Sequence, residues 1–243
     1  MKRWFLSLLG LVLISNAAVA LGGEEILKKV DSNLTPESFE SYRKLINVEP
    51  DGKKREYILF TIKKGNDKVA SLFLSPASEK GRSTLRLGDN MWLYIPNVGR
   101  AIRITSLQSV VGGVFNNADI MRLDYHVEYT VEHIEDKGGE YLLDLKAKTG
   151  AVAYDRLKMT VDKKTVVPTK IECYAATGLL IKTLHFKEMK TFDGSITRPA
   201  VIETDSPLYK GYRSIMIFAK IKRRDLPDEA FTLNFLPRVE TLR

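Results

Sequence analysis

From Ser38 to about residue 224 the chain keeps a two-residue rhythm of apolar and polar side chains. Period two sends successive side chains to opposite faces of an extended strand, so the rhythm calls for β-structure with two distinct faces. Turn signals such as Pro50-Asp51-Gly52, Gly65-Asn66-Asp67, Asp136–Gly139, Asp162–Thr165 and Phe192-Asp193-Gly194 punctuate it. A turn every 10–14 residues or so is the spacing of an antiparallel meander. Strands of that length exceed the usual, which points to a mainly β fold built on a strongly curved antiparallel sheet, a half-closed barrel.

Read in order, the expected strands are Ser38–Val48, Lys53–Lys64, Lys68–Ser75, Arg82–Leu87, Met91–Ile95, Arg100–Thr105, His126–Glu135, Glu140–Ala147, Ala153–Val161, Val166–Ala176, Leu179–Thr191, Ile196–Thr204 and Tyr209–Ile221. Leu21–Leu34 reads as a helix, with Ile26, Leu27 and Val30 as its apolar stripe and Glu24 and Glu25 placed where the helix dipole favours them. A short helix is expected over Ala118–Leu123. The tail Leu226–Arg243 holds a helical turn at Pro227–Phe231 and apolar residues suited to plugging one end of the sheet.

The first twenty residues have the form of a secretory leader: Lys2 and Arg3, an apolar run Trp4–Ile14, and the small-residue cleavage pattern Ala18-Val19-Ala20. The run is too short for a comfortable membrane span. No cysteine follows it to carry a lipid anchor, so 21–243 is expected as one soluble domain. Losing Lys2 and Arg3 with the leader lowers the formal net charge from +8 to +6. The basic residues are spread along strands, which suits weak attraction to anionic membrane surfaces rather than nucleic acid. The one cysteine, Cys173, leaves no internal disulfide and reads as a small buried hydrophobe.

Catalytic constellations are missing. His126 and His133 fall seven apart on one expected strand and so face opposite ways. No Cys or His pair has zinc-ligand spacing, and there is neither a nucleophile elbow nor a phosphate-cradling glycine loop. Carboxylates such as Asp119 and Asp124 read as a solvated face. A non-enzyme with no metal and no cofactor is expected.

The stretch Gly88–Tyr125 is the exception to the polar/apolar alternation. Met91-Trp92-Leu93-Tyr94-Ile95 is apolar on both faces, and a long low-charge loop follows Arg100–Thr105. One face must meet core or a helix; the other is expected to line a cavity for a greasy ligand. The candidate lining is Phe60, Phe73, Trp92, Tyr94, Phe115, Met121, Met216 and Phe218, with Trp92 and Tyr94 sharing a face. Phe115 and Met121 belong to an expected lid over 106–123. Arg100 and Arg103 are candidates to pair with a lipid headgroup or, preferably, with neighbouring carboxylates.

The string Leu87-Gly88-Asp89-Asn90-Met91-Trp92-Leu93-Tyr94-Ile95-Pro96, followed by Gly99-Arg100 and Arg103-Ile104 and preceded by Phe73-Leu74-Ser75-Pro76 and Gly81, resembles the outer-membrane lipoprotein-sorting family. These are periplasmic proteins similar to the lipoprotein carrier LolA. The resemblance implies a half-closed barrel with helices covering its concave mouth. It also implies a periplasmic carrier that binds acyl chains of a lipid or lipoprotein and shuttles them between membranes, with an inner-membrane transporter and an outer-membrane acceptor as partners. Gly112–Asp119 departs from the family's lid string, with only Phe115 and Asp119 matching. The alternative function is a non-catalytic envelope sensor or accessory protein of an inner-membrane exporter.

Overall fold

In the computed structural model, which describes residues 22–243, one sheet of thirteen strands runs through the chain. The expected leader, 1–20, lies outside the described residues. Helix α1 (Gly23–Leu34) comes first. Six strands follow: β1 (Ser38–Val48), β2 (Lys54–Lys64), β3 (Lys68–Ser75), β4 (Ser83–Leu87), β5 (Asn90–Tyr94) and β6 (Ala101–Ile104). Two one-turn helices, α2 (Asn117–Ile120) and α3 (Tyr125–Glu128), separate these from the second set. That set is β7 (Tyr129–Asp136), β8 (Glu140–Ala147), β9 (Arg156–Asp162), β10 (Val167–Tyr174), β11 (Leu180–Phe192), β12 (Ile196–Asp205) and β13 (Arg213–Arg223). Short 3-10 segments at Asp228–Phe231 and Leu233–Leu242 end the chain.

The strand order dictates where the lid must go. Across the sheet it runs β6-β5-β4-β3-β2-β1-β13-β12-β11-β10-β9-β8-β7, every pair antiparallel. The chain walks by hairpins from β1 to one edge, β6, and then resumes at the opposite edge, β7. It walks back by hairpins until β13 pairs with β1. The sheet is curved and not closed, so the segment joining its two edges, 105–128, must cross the open mouth. Topology alone makes that segment a lid.

Burial divides the sheet into two faces. The concave core takes in α1 (Ile26, Leu27, Val30, Leu34), the lid residues Phe115, Ile120, Met121 and Leu123, and inward strand residues from Leu45 to Phe218. A second, smaller core lies on the outer face of β2–β5, where Phe60, Ile62, Leu72 and Leu85 pack against Leu226, Phe231, Phe235, Leu236 and Val239 of the tail. The tail therefore covers the outer face; it does not plug an end of the sheet. Ser83 pins it there by donating to the Leu236 carbonyl at 3.0 Å.

Two other expectations change. His126 belongs to α3, and the strand predicted to start there starts at Tyr129. The amides of Tyr125 and His126 donate to the Asp31 carboxylate of α1 at 2.8 and 2.9 Å, so a residue 94 positions before Tyr125 supplies the first-turn acceptor for this helix. A four-residue turn stabilised from that distance has no local periodic signal. The loop between β12 and β13 extends to Tyr212, so β13 begins at Arg213 rather than Tyr209.

Candidate functional site: a lidded cavity with charged walls

Between the concave sheet and the lid is a cavity of about 80 Å³. That is near half the size of an apolar cavity that takes up benzene, ~150 Å³. One part of its wall is apolar: Leu157, Ile171, Leu184, Phe186, Met216 and Phe218 from β9–β13, with Phe115 and Ile120 from the lid. The other part carries charge. Ser41 and Arg43 of β1, Thr61 and Lys63 of β2 and Arg198 of β12 all point inward, and Asp119, Arg122 and Glu128 descend from the lid.

The alternation explains why these polar residues face in. Phe39, Ser41, Arg43 and Leu45 alternate along β1, and all of them are buried on the concave side. Likewise Ile196, Arg198, Ala200 and Ile202 share one face of β12. Arg43 and Arg198 are both buried, and Arg198, only 2% exposed, is among the largest fully buried side chains of the described residues.

Polar ties hold the lid across this apolar gap. Lys63 of β2 meets Asp124 at 2.7 Å, Arg86 of β4 meets Glu128, and Lys182 of β11 meets Asp119 at 2.7 Å. Each pair joins a sheet cation to a lid carboxylate, and all three are buried. Lys182 also donates to the Val114 carbonyl, while Tyr154 donates to Asp119 at 3.0 Å. Arg43 and Arg86 donate to the Ile120 and Met121 carbonyls at 3.0 and 3.1 Å, capping the C-terminal end of α2. At its N-terminus Asn116 and Asp119 form a reciprocal capping box. Asp119 and Asp124, read from sequence as a solvated face, are thus buried partners of the sheet.

Burial sets the titration of these groups. It lowers Arg43 to about 10 and Arg198 to about 9, helped in both cases by the neighbouring Arg122 charge. It raises the Asp31 carboxyl above its ordinary value, although Arg122 and the two α3 amides pull the other way. The Cys173 thiol is pushed well up by the same desolvation, which suits an inert core residue rather than a nucleophile.

The candidate residues divide between the faces. Phe115, Met216 and Phe218 line the cavity. Phe73 and Met121 lie in the concave core beside it. Phe60, Trp92 and Tyr94 do not line it: they sit on the outer face with the tail core. The correction has a simple cause. Alternation says which residues share a face, and it does not say which face is concave; in β5 it is Met91 and Leu93 that turn inward. Arg100 and Arg103 are exposed near the β6 edge, outside the cavity. Among the described residues neither pairs with a carboxylate; Arg103 instead bonds the Asn90 side chain and covers the Trp92 ring at 5.7 Å.

A family model described as "-like: Uncharacterized protein" matches residues 65–238, which include the lid and most of the sheet. A LolA superfamily protein from Nitrosomonas europaea superposes with a TM-score of 0.80, at 28% identity over 89% of this chain and 100% of the other. The chain belongs to the family that the model over residues 65–238 describes, and its fold is that of the LolA superfamily. A LolA-like fold recurs in a domain from Vibrio parahaemolyticus named for outer membrane lipoprotein sorting, with a TM-score of 0.73 at 20% identity, covering 89% and 98% of the two chains. It recurs too in a DUF1329 family protein from Desulfovibrio piger, with a TM-score of 0.76 at 23% identity over 88% and 97%. No curated protein matches the chain in sequence. Among the described residues of this LolA-like chain, no helix is long and apolar enough to cross a membrane.

Proposed function

We propose that this LolA-like chain is a non-catalytic periplasmic carrier. It takes acyl chains of a lipid or lipoprotein into the cavity beneath residues 105–128 and moves them between envelope membranes. The observation that carries this is the pairing of an apolar cavity wall with a lid that three buried ion pairs tie to the sheet.

A carrier must release what it binds. A methylene moved from water into an apolar site is worth about 0.8 kcal/mol, so long chains sealed in a tight pocket would approach the ceiling on non-covalent affinity, roughly 20 kcal/mol. The useful balance is cavity against bilayer, which a small, expandable cavity meets. At about 80 Å³ the cavity is too small for a chain of membrane length, so uptake requires the lid to part from the sheet. Buried ion pairs suit such a lid: their Coulomb attraction is largely offset by desolvation, so they fix its position without adding the adhesion of an equal apolar area. The leader-like sequence of residues 1–20 and the LolA-like fold support a periplasmic site of action, and the partners proposed with it are an inner-membrane donor and an outer-membrane acceptor.

Transfer between vesicles tests the proposal. With fluorescent phospholipid in donor vesicles, the transfer rate to acceptor vesicles should rise in proportion to added protein. A rate indistinguishable from the protein-free control at every concentration would contradict it.

A further inference from the structure

Three buried cations of the concave face have a carboxylate across the lid interface: Lys63, Arg86 and Lys182. Two others line the cavity and have none among the described residues, Arg43 and Arg198. Arg43 donates to the Ile120 carbonyl, to the Thr61 hydroxyl and weakly to the Met216 sulfur, while its Nε has no partner. Arg198 donates to the Pro199 carbonyl at 3.1 Å and to the Leu34 carbonyl. Every one of these acceptors is neutral. Asp119 and Glu128 also border the cavity, but each already faces its own cation, and Arg122 faces Asp31 at 3.5 Å.

The two guanidinium groups flank one aromatic ring. Strands β1, β13 and β12 are neighbours in the sheet, and Arg43 is the register partner of Phe218 on the middle one. The guanidinium carbons stand 5.8 and 4.0 Å from the centre of the same Phe218 ring. Outer strands of such a triplet are about 10 Å apart, a span that two arginine side chains reaching inward close around one small anion. Burying like charges together without a counter-charge is costly, and contacts with neutral carbonyls and one ring return only part of it. An anion brought into the cavity supplies what is missing, and guanidinium forks match planar oxo groups.

We infer that Arg43 and Arg198 form an anion site on the cavity wall, and that the guest is an amphiphile with an acidic oxo headgroup, a carboxylate or a phosphate. The headgroup sits at Phe218 and the acyl chain runs along Leu157, Ile171, Leu184 and Phe186. The inference rests on the acyl-carrier proposal and adds the chemistry of the head.

Three amphiphiles of equal chain length test it on the full mature protein, by displacement of a neutral hydrophobic dye: palmitate, hexadecyl phosphate and hexadecanol. At least one acidic amphiphile should bind about tenfold or more tighter than the alcohol, the gain expected of a charge-assisted pair in a desolvated site. Whichever acid binds tighter identifies the head as carboxylate or phosphate. Arg198→Gln and Arg43→Gln should each remove most of that preference, read within each variant as the ratio of acid to alcohol affinity; Arg198→Lys should keep part of it. The comparison on the unsubstituted protein stands even where a variant fails to fold. Equal binding of all three would overturn the anion site and leave the acyl-carrier role intact. Binding of none would contradict the carrier role, and the anion site with it.

Discussion

Lys182 of β11 and Asp119 of α2 meet at 2.7 Å with their side chains only 4% and 6% exposed. This contact ties the lid to the far half of the sheet, and Tyr154 and the Val114 carbonyl complete its hydrogen bonding. Removing one partner strands the other as a buried charge. Lys182→Met is therefore expected to destabilise the protein by ~3–5 kcal/mol, and the double variant Lys182→Met/Asp119→Leu to recover much of that loss. Urea unfolding of the three variants reads the coupling; equal losses in single and double variants would show that the pair acts only through its separate hydrogen bonds.

Gly113 of the lid lies tight against Asn47 of β1. A Cβ there would lie 2.2 Å from Asn47 Oδ1. Asn47 in turn accepts from the Ser214 hydroxyl at 2.7 Å, which accepts from the Val114 amide at 2.9 Å. Gly113→Val should push the lid off this anchor at a cost of ~1–3 kcal/mol, with faster hydrogen exchange at the Val114 amide and unchanged exchange in β8 and β9. Uniformly faster exchange across the sheet would mean general destabilisation instead of lid release.

The tail and the cavity occupy opposite faces, so they should fail separately. Leu236 is 1% exposed in the outer core over β3–β5. Leu236→Ala is expected to cost ~2–5 kcal/mol and to expose Trp92 to water, visible as a red shift of its emission, without altering uptake of an acyl probe by the folded fraction. Lost uptake in fully folded protein would place the tail in the transport step.

Arg198 bears on stability through pH. Its folded value, about 9, lies well below that of an ordinary arginine, so the unfolded chain holds this proton more tightly. Stability tied to Arg198 therefore rises with pH between those values, and the cost of its charge is fully present below about 9. Arg198→Met should raise the urea midpoint at neutral pH, and its advantage over the unsubstituted protein should narrow only above about pH 9. A lower midpoint at neutral pH would mean that the bonds to Leu34 and Pro199 outweigh the burial of charge.

Much of the sheet was legible in the residues. Strands β1, β3 and β8 begin and end where alternation puts them, because each has turn residues on both sides and two faces of different polarity. What period two does not carry is the sign of curvature, so it does not show that Phe60, Trp92 and Tyr94 belong to the outer core and not to the cavity. Helix α3 was illegible for another reason: its supporting acceptor, Asp31, is distant in sequence. The charged wall does have a signal in the sequence. Arg43 stands in phase with Phe39 and Leu45, and Arg198 with Ile196 and Ala200, so the rhythm that identified the strands also placed these arginines on the buried face.

The most direct measurement is native mass spectrometry of the protein as purified, beside Ala153→Phe, which fills the cavity from its wall. The unsubstituted protein is expected to show a second species heavier by the mass of an acyl lipid, lost on activation, and Ala153→Phe to show little of it. A bare protein mass in both, unchanged after incubation with lipid vesicles, would contradict a cavity built for an acyl guest.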